Sequence, residues 1–166
     1  MRDDEHAYTP SRTSAARTVP DVVRRYLNGQ DLLGKTQALR LSTVDQDGWP
    51  HASLLSAGEV LAVSPERVRF AVFAESTTTA NLSRDGRVSL TLSIERGMCE
   101  LRLRAKRLTK TSADVPLALF EGEVVQVRTH VAPYADVVTG ITFQLHRQNE
   151  VLKRWERQIA ALHAAR

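Results

Sequence analysis

Apolar and polar residues alternate without a break from Val88 to Ile94, with Val88, Leu90, Leu92 and Ile94 on one side and Ser89, Thr91 and Ser93 on the other. A period of two places successive side chains on opposite faces, so this stretch must be a strand with one face in a core. The same period sets Leu39, Leu41 and Thr43 against Arg40, Ser42 and Val44, and Val68, Phe70 and Val72 against Arg69, Ala71 and Phe73. It returns in Glu100 to Thr109, where Leu101, Leu103 and Ala105 oppose Arg102, Arg104 and Lys106. There Arg107 and Leu108 break the phase, which predicts a β-bulge near Ala105. Trp49 to Val63 reads as one longer strand bent at Gly58, and Asp45 to Gly48 and Ser64 to Glu66 supply turn chemistry. The first three strands then form a meander.

Helical spacing appears in fewer places. Thr18 is placed to cap a helix opened by Pro20 and Asp21 and closed by Asn28-Gly29. Ser76 is placed to cap a short helix running from Thr77 to about Asp85, with Gly86 ending it. Asp114-Val115-Pro116 predicts a helix carrying Leu117, Phe120, Val124 and Val127, although the β-branched run Val124 to Val127 also suits a strand. Val137 to Leu145 is expected as a final strand. An amphipathic helix over about Gln148 to Ala164 follows, with Leu152, Trp155, Ile159 and Leu162 on one stripe. Residues 1–17 lack pattern and are expected as a flexible tail, leaving residues 18–166 as the folded domain. Strands that follow one another without alternating helices imply a mainly β (α+β) fold with an antiparallel sheet, closed toward a barrel to hide its edges.

The 166 residues suffice for one core. No apolar run approaches the ~20 residues of a membrane-spanning helix. The opening Met1 to Glu5 lacks the profile of a secretion signal. Cys99 is the single cysteine, so the chain holds no internal disulfide; these features set the expectation of a cytoplasmic location. The net charge of +4 raises a nucleic-acid reading. Its excess lies on one strand, Glu100 to Lys110, and one helix, Arg147 to Arg166, with no basic tail and no zinc-finger spacing, which argues against that partner.

The histidines (His6, His51, His130, His146, His163) show no metal-ligand spacing, and neither a Gly-x-Ser-x-Gly elbow nor a phosphate-binding loop is present. Chemistry concentrates in Ser76-Thr77-Thr78-Thr79. At a helix start the first amides lack partners and carry partial positive charge, and hydroxyls beside them suit a phosphate dianion. Ser76 reads equally as an ordinary cap beside solvated threonines, and the residues alone leave both readings open. Trp155 and Cys99 read as packing residues, while Tyr134 and His51 are secondary pocket candidates.

Two stretches carry a resemblance. Leu41 to Ser53 resembles the first hairpin, and Arg69 to Leu90 the flavin-phosphate segment and following strand, of the FMN-binding, pyridoxamine 5'-phosphate oxidase-like split β-barrel family. The likeness covers roughly Ala38 to Arg107. It implies an antiparallel split β-barrel with flanking helices and an FMN site shared by a homodimer. It further implies ring contacts from Ser53, Leu54, Leu55, Phe73 and Ala74, phosphate contacts from Ser76, Thr77 and Thr78, Asn81 as a buttress, and Glu100 and Arg102 reaching the partner's flavin. The oxidase proper carries arginine at the position of Ser53 and arginine and lysine at those of Thr77 and Thr78. Their loss argues against true pyridoxamine 5'-phosphate oxidase activity and leaves an oxidoreductase acting on an unknown small molecule. The alternatives are a non-catalytic holder or sensor of flavin, deazaflavin or haem, with His51 or His130 available as an axial ligand, and a nucleic-acid-binding module.

Overall fold

The computed structural model describes residues 8–109 and 116–166. Its strands are β1 (Arg12–Thr13), β2 (Leu39–Val44), β3 (Pro50–Leu55), β4 (Val60–Ser64), β5 (Arg67–Phe73), β6 (Arg87–Ile94), β7 (Gly97–Arg107) and β8 (Leu117–His130). Helices α1 (Asp21–Tyr26), α2 (Thr77–Arg84) and α3 (Gln148–Ala164) flank them. All strand pairs are antiparallel, in the order β3-β2-β6-β7-β8-β5-β4, with β1 added on β8. β3 and β4 form the two edges, so the barrel is split. The pairing of Arg12 with Thr129 and Thr13 with Arg128 lies inside the stretch expected as tail.

The alternating residues build the core as their period requires. Leu39, Leu41, Val68, Phe70, Val88, Leu90, Leu101 and Leu103 meet inside the barrel, joined by Val23 from α1, Leu27 at its C-cap and Leu82 from α2. Phe70 and Phe120 are cross-strand partners with rings stacked 5.8 Å apart, a contact worth about 0.5–1.5 kcal/mol beyond its area. A second cluster lies outside the barrel, where α3 lays Trp155, Ile159 and Leu162 over Leu61, Ala71 and Leu119. Gly58 makes that docking possible, because a Cβ there would sit 2.1 Å from the Trp155 ring.

Several expectations are corrected. Leu117 to Val127 is not a helix but part of the longest strand. Its near-helical spacing comes from a bulge: Arg102 pairs with Gln126 and Leu103 with Val124, so Val125 is the extra residue. Val124 and Val127 both face inward, three residues apart, because the bulge resets the phase between them. The bulge expected near Ala105 therefore lies in β8, opposite Arg102 and Leu103. The slip at Arg107 is simply the exposed end of β7. Asp114 and Val115 fall outside the described residues. Trp49 to Val63 divides into β3 and β4 at Ser56 to Glu59, where the Glu59 carboxylate accepts from the Ser56 amide (2.7 Å) and hydroxyl (2.8 Å). The two pieces go to opposite edges, so no three-strand meander forms.

Pro20, not Thr18, stands at the N-cap of α1. Val137 to Leu145 is a strap, with one isolated bridge between Thr142 and Gln37. It is tied to residues 36–38 and, through the Val137 amide, to the Arg96 carbonyl; its valines face outward, and Gly140 presses so close that a Cβ would sit 2.6 Å from Gln37 Oε1.

Candidate functional site

β5 ends at Phe73, and the Ser76 amide turns back to the Phe73 carbonyl at 3.0 Å. Ser76 then holds an extended conformation, and its Oγ accepts from the Thr79 amide at 3.1 Å, so it caps α2 as its residue type allows. The Ser76 hydroxyl donates to Thr79 Oγ1, which donates to the Phe73 carbonyl at 2.7 Å. Ser76 is thus committed to the turn. The amides of Thr77 and Thr78 donate to no acceptor among the described residues. They form the positive mouth of the helix.

Asn81, 2% exposed, ties α2 to the barrel: its Nδ2 donates to Thr43 Oγ1 at 3.0 Å, and its Oδ1 accepts from Arg84 at 3.2 Å. This anchor aims the first turn of α2 at β3. There Ser53 Oγ lies 3.3 Å from Thr78 Oγ1. Thr77 is exposed, Ser53 and Ala74 are half-buried, and Leu55 is buried in the core. Leu54 and Phe73 are exposed apolar residues flanking the same region of chain.

Ser53, Phe73, Ala74, Ser76, Thr77, Thr78 and Asn81 therefore gather around one helix mouth. Glu100 and Arg102 do not join them within the chain. They lie on the outer face of β7, where Arg102 donates to Glu100 and Gln126 (both 3.1 Å) and Glu100 also faces Arg128 at 3.8 Å. Strand register puts Leu54, Arg40, Thr91 and Glu100 in one row across β3-β2-β6-β7, about 14 Å from end to end.

Other candidates resolve plainly. Trp155 packs edge-on against Phe143 (5.9 Å between rings), and Tyr134 is exposed. Burial pushes the Cys99 thiol up to about 11, with Glu100 and Glu95 adding to the effect. No group of three or more His, Cys, Asp or Glu residues among those described can hold a metal ion. No helix of the described residues is long and apolar enough to cross a membrane. Sequence reasoning missed Thr43, the buried partner of Asn81. It also missed the facing arginines Arg87 and Arg104, whose pairing follows from register alone.

Residues 28–137 match the sequence model of the family described as Pyridoxamine 5'-phosphate oxidase. The chain belongs to that family. The uncharacterized protein YclD of Bacillus subtilis (strain 168) is 35% identical over 127 residues, 76% of this chain and 82% of YclD. The fold is shared with a pyridoxamine 5'-phosphate oxidase-like protein of Lactobacillus delbrueckii, at a TM-score of 0.56 and 13% identity over 69% of this chain and 97% of that one. It is shared also with a heme binding protein of Mycobacterium smegmatis, at a TM-score of 0.50 and 15% identity over 69% of this chain and 56% of the other. The pyridoxamine 5'-phosphate oxidase family thus supplies the split barrel, and the fold alone names no ligand.

Proposed function

We propose that this chain binds FMN at the mouth of α2 as a cytoplasmic homodimer and works as a flavin-dependent oxidoreductase on a small molecule. The observation that carries the reading is the convergence of the Ser53–Thr78 hydroxyl pair with the two unpartnered amides that open α2. When two hydroxyls share one hydrogen bond, one donates and the other keeps its proton, so the pair retains one free O–H. That O–H, the Thr77 hydroxyl and two amides make a neutral donor set matched to a phosphate at a helix N-terminus.

The set contains no cation. Arg84 sits at the far end of α2, about 12 Å away along the helix axis. Neutral donors give roughly half the strength of charge-assisted ones, so FMN would be held less tightly than by an arginine–lysine cradle. Exposed Phe73 and Leu54 offer apolar surface to a ring. Glu100 and Arg102 serve this site only across a dimer, which the family resemblance implies. Bound flavin supplies the electron and hydride chemistry, and the chain's own part is to grip the phosphate, flank the ring and exclude water. The cradle lacks the basic residues of the oxidase proper, so pyridoxamine phosphate is not the substrate proposed.

The test of turnover is anaerobic reduction of the FMN-loaded protein with dithionite, followed by candidate acceptors. Rapid reoxidation by one acceptor supports an enzyme. Inertness toward all of them, with FMN still bound, favours a carrier or sensor.

A further inference from the structure

Two concavities on the outer face of the sheet share Arg87 and Arg104. One, of about 320 Å³, is floored by Val44 and Val125 and edged by Ser42 and Ser89. The other opens between the C-terminal end of α2 and β7, beside Asp85 and Gly86. Arg87 and Arg104 are direct cross-strand partners on that face. Like charges in this position repel and destabilise a sheet. Arg87 turns its guanidinium to Asp85. Arg104 makes no hydrogen bond or ion pair among the described residues, although Glu123 faces it from β8.

Asp85 offsets Arg87 and Glu123 stands opposite Arg104, yet the lining of the two concavities keeps a positive excess. Arg84, Arg87, Arg102 and Arg104 line the two concavities against Asp85 and Glu100, a surplus of two positive charges. Arg102 is occupied by Glu100 and Gln126, and Arg84 by Asn81, so Arg104 presents the open fork. The crowding is enforced by the backbone. The Ala105 amide donates to the Gly86 carbonyl at 2.7 Å, and a Cβ on Gly86 would sit 2.4 Å from the Ala105 carbonyl oxygen. Only glycine lets the Asp85–Arg87 corner approach β7 this closely.

We propose that this groove binds a small phosphomonoester, with the phosphoryl dianion between Arg87 and Arg104 and an apolar body on Val44 and Val125. A guanidinium fork matches phosphoryl oxygens in two parallel hydrogen bonds, and a dianion converts the opposed arginines from a repulsive pair into a clamp. Ser42 and Ser89, whose hydroxyls make no hydrogen bond among the described residues, edge the body of the ligand. The flavin cradle lies at the first turn of α2 and this groove at its last, so the inference stands without the flavin reading.

The experiment is calorimetric titration of the full chain with phenyl phosphate, inorganic phosphate and phenol. Phenyl phosphate is expected to bind more tightly than inorganic phosphate, and phenol not at all. Arg104→Gln weakens phenyl phosphate at least tenfold, while Arg96→Gln, in the turn beyond the other end of β6, changes it less than twofold. Without ligand, R104Q melts no lower than the parent, because one of two opposed charges is gone. FMN uptake, followed separately by fluorescence, is unchanged in R104Q. Equal phenyl phosphate affinity in R104Q and parent overturns the proposal, as does an equal loss in R96Q. Parallel loss of FMN uptake in R104Q also overturns it, since the groove would then belong to the flavin site. Displacement of phenyl phosphate by a DNA duplex would make the groove a nucleic-acid surface instead.

Discussion

Ser53 and Thr78 come from segments 25 residues apart, yet their hydroxyl oxygens lie 3.3 Å from one another. The contact joins β3 to the first turn of α2 and sets the donor that the proposed phosphate site needs. Thr78→Val keeps the shape of this buried side chain and removes the hydroxyl. It should weaken FMN binding about 10–150-fold, the effect of one hydrogen bond to a charged group. Quenching of FMN fluorescence on titration measures this. An unchanged Kd would remove Thr78 from the site.

The Asn81–Thr43 bond is buried at both ends, each residue being 2% exposed. Asn81→Ala leaves Thr43 Oγ1 unpaired and opens space under α2. The expected cost is about 1–3 kcal/mol, or roughly 2–12 °C in Tm for a chain of this size. The partner change Thr43→Val in the N81A background should add less destabilisation than T43V does alone, because the unpaired hydroxyl is removed. Thermal melts of the four proteins check both statements.

Asp85 is hydrogen-bonded by the Arg87 guanidinium and backbone, with Arg104 adding positive charge nearby, and its carboxyl is held down to about 2. An unfolded aspartate protonates near about 3.9. Between those values the unfolded chain binds the proton that the folded chain refuses, so stability is lost as pH falls through this window. Above about pH 5 the contribution is complete. Urea midpoints measured from pH 5 down to pH 2 should fall more steeply for the parent than for Asp85→Asn.

Cys99 is fully buried, and its thiol is raised to about 11. At pH 8 almost none of it is thiolate, the form that reacts. The native protein should leave Cys99 unmodified by iodoacetamide at pH 8, while protein in denaturant is alkylated at that residue. Mass spectrometry of the two samples distinguishes the outcomes. Rapid native alkylation would contradict the packing of β7.

The strands that alternate strictly were legible because one face of each enters the same core; Val88 to Ile94 and Leu39 to Val44 are the clearest. Leu117 to Val127 read first as a helix, with only the β-branched run Val124 to Val127 pointing to a strand. A bulged residue at Val125 and a strand buried on both faces near Leu119 together imitate helical spacing. The division of Trp49 to Val63 was marked by Gly58, but its meaning was hidden. A bend and a passage to the opposite edge of a sheet leave the same local trace. The helix mouth was visible as Ser76 to Thr79, whereas the hydrogen-bonded role of Ser76 and the partnership of Thr78 with Ser53 depend on tertiary placement. Arg87 and Arg104 stand 17 positions apart and meet only through register.

The central claim is that neutral donors at the mouth of α2 hold a flavin phosphate. Its most direct measurement is the visible absorption spectrum of freshly purified protein, repeated after incubation with FMN and desalting, with the released chromophore identified by mass. The account predicts the visible absorption of a bound flavin, on the order of one FMN per chain, released on denaturation. Colourless protein that retains no FMN after incubation, or a chromophore whose mass is that of haem, would contradict it.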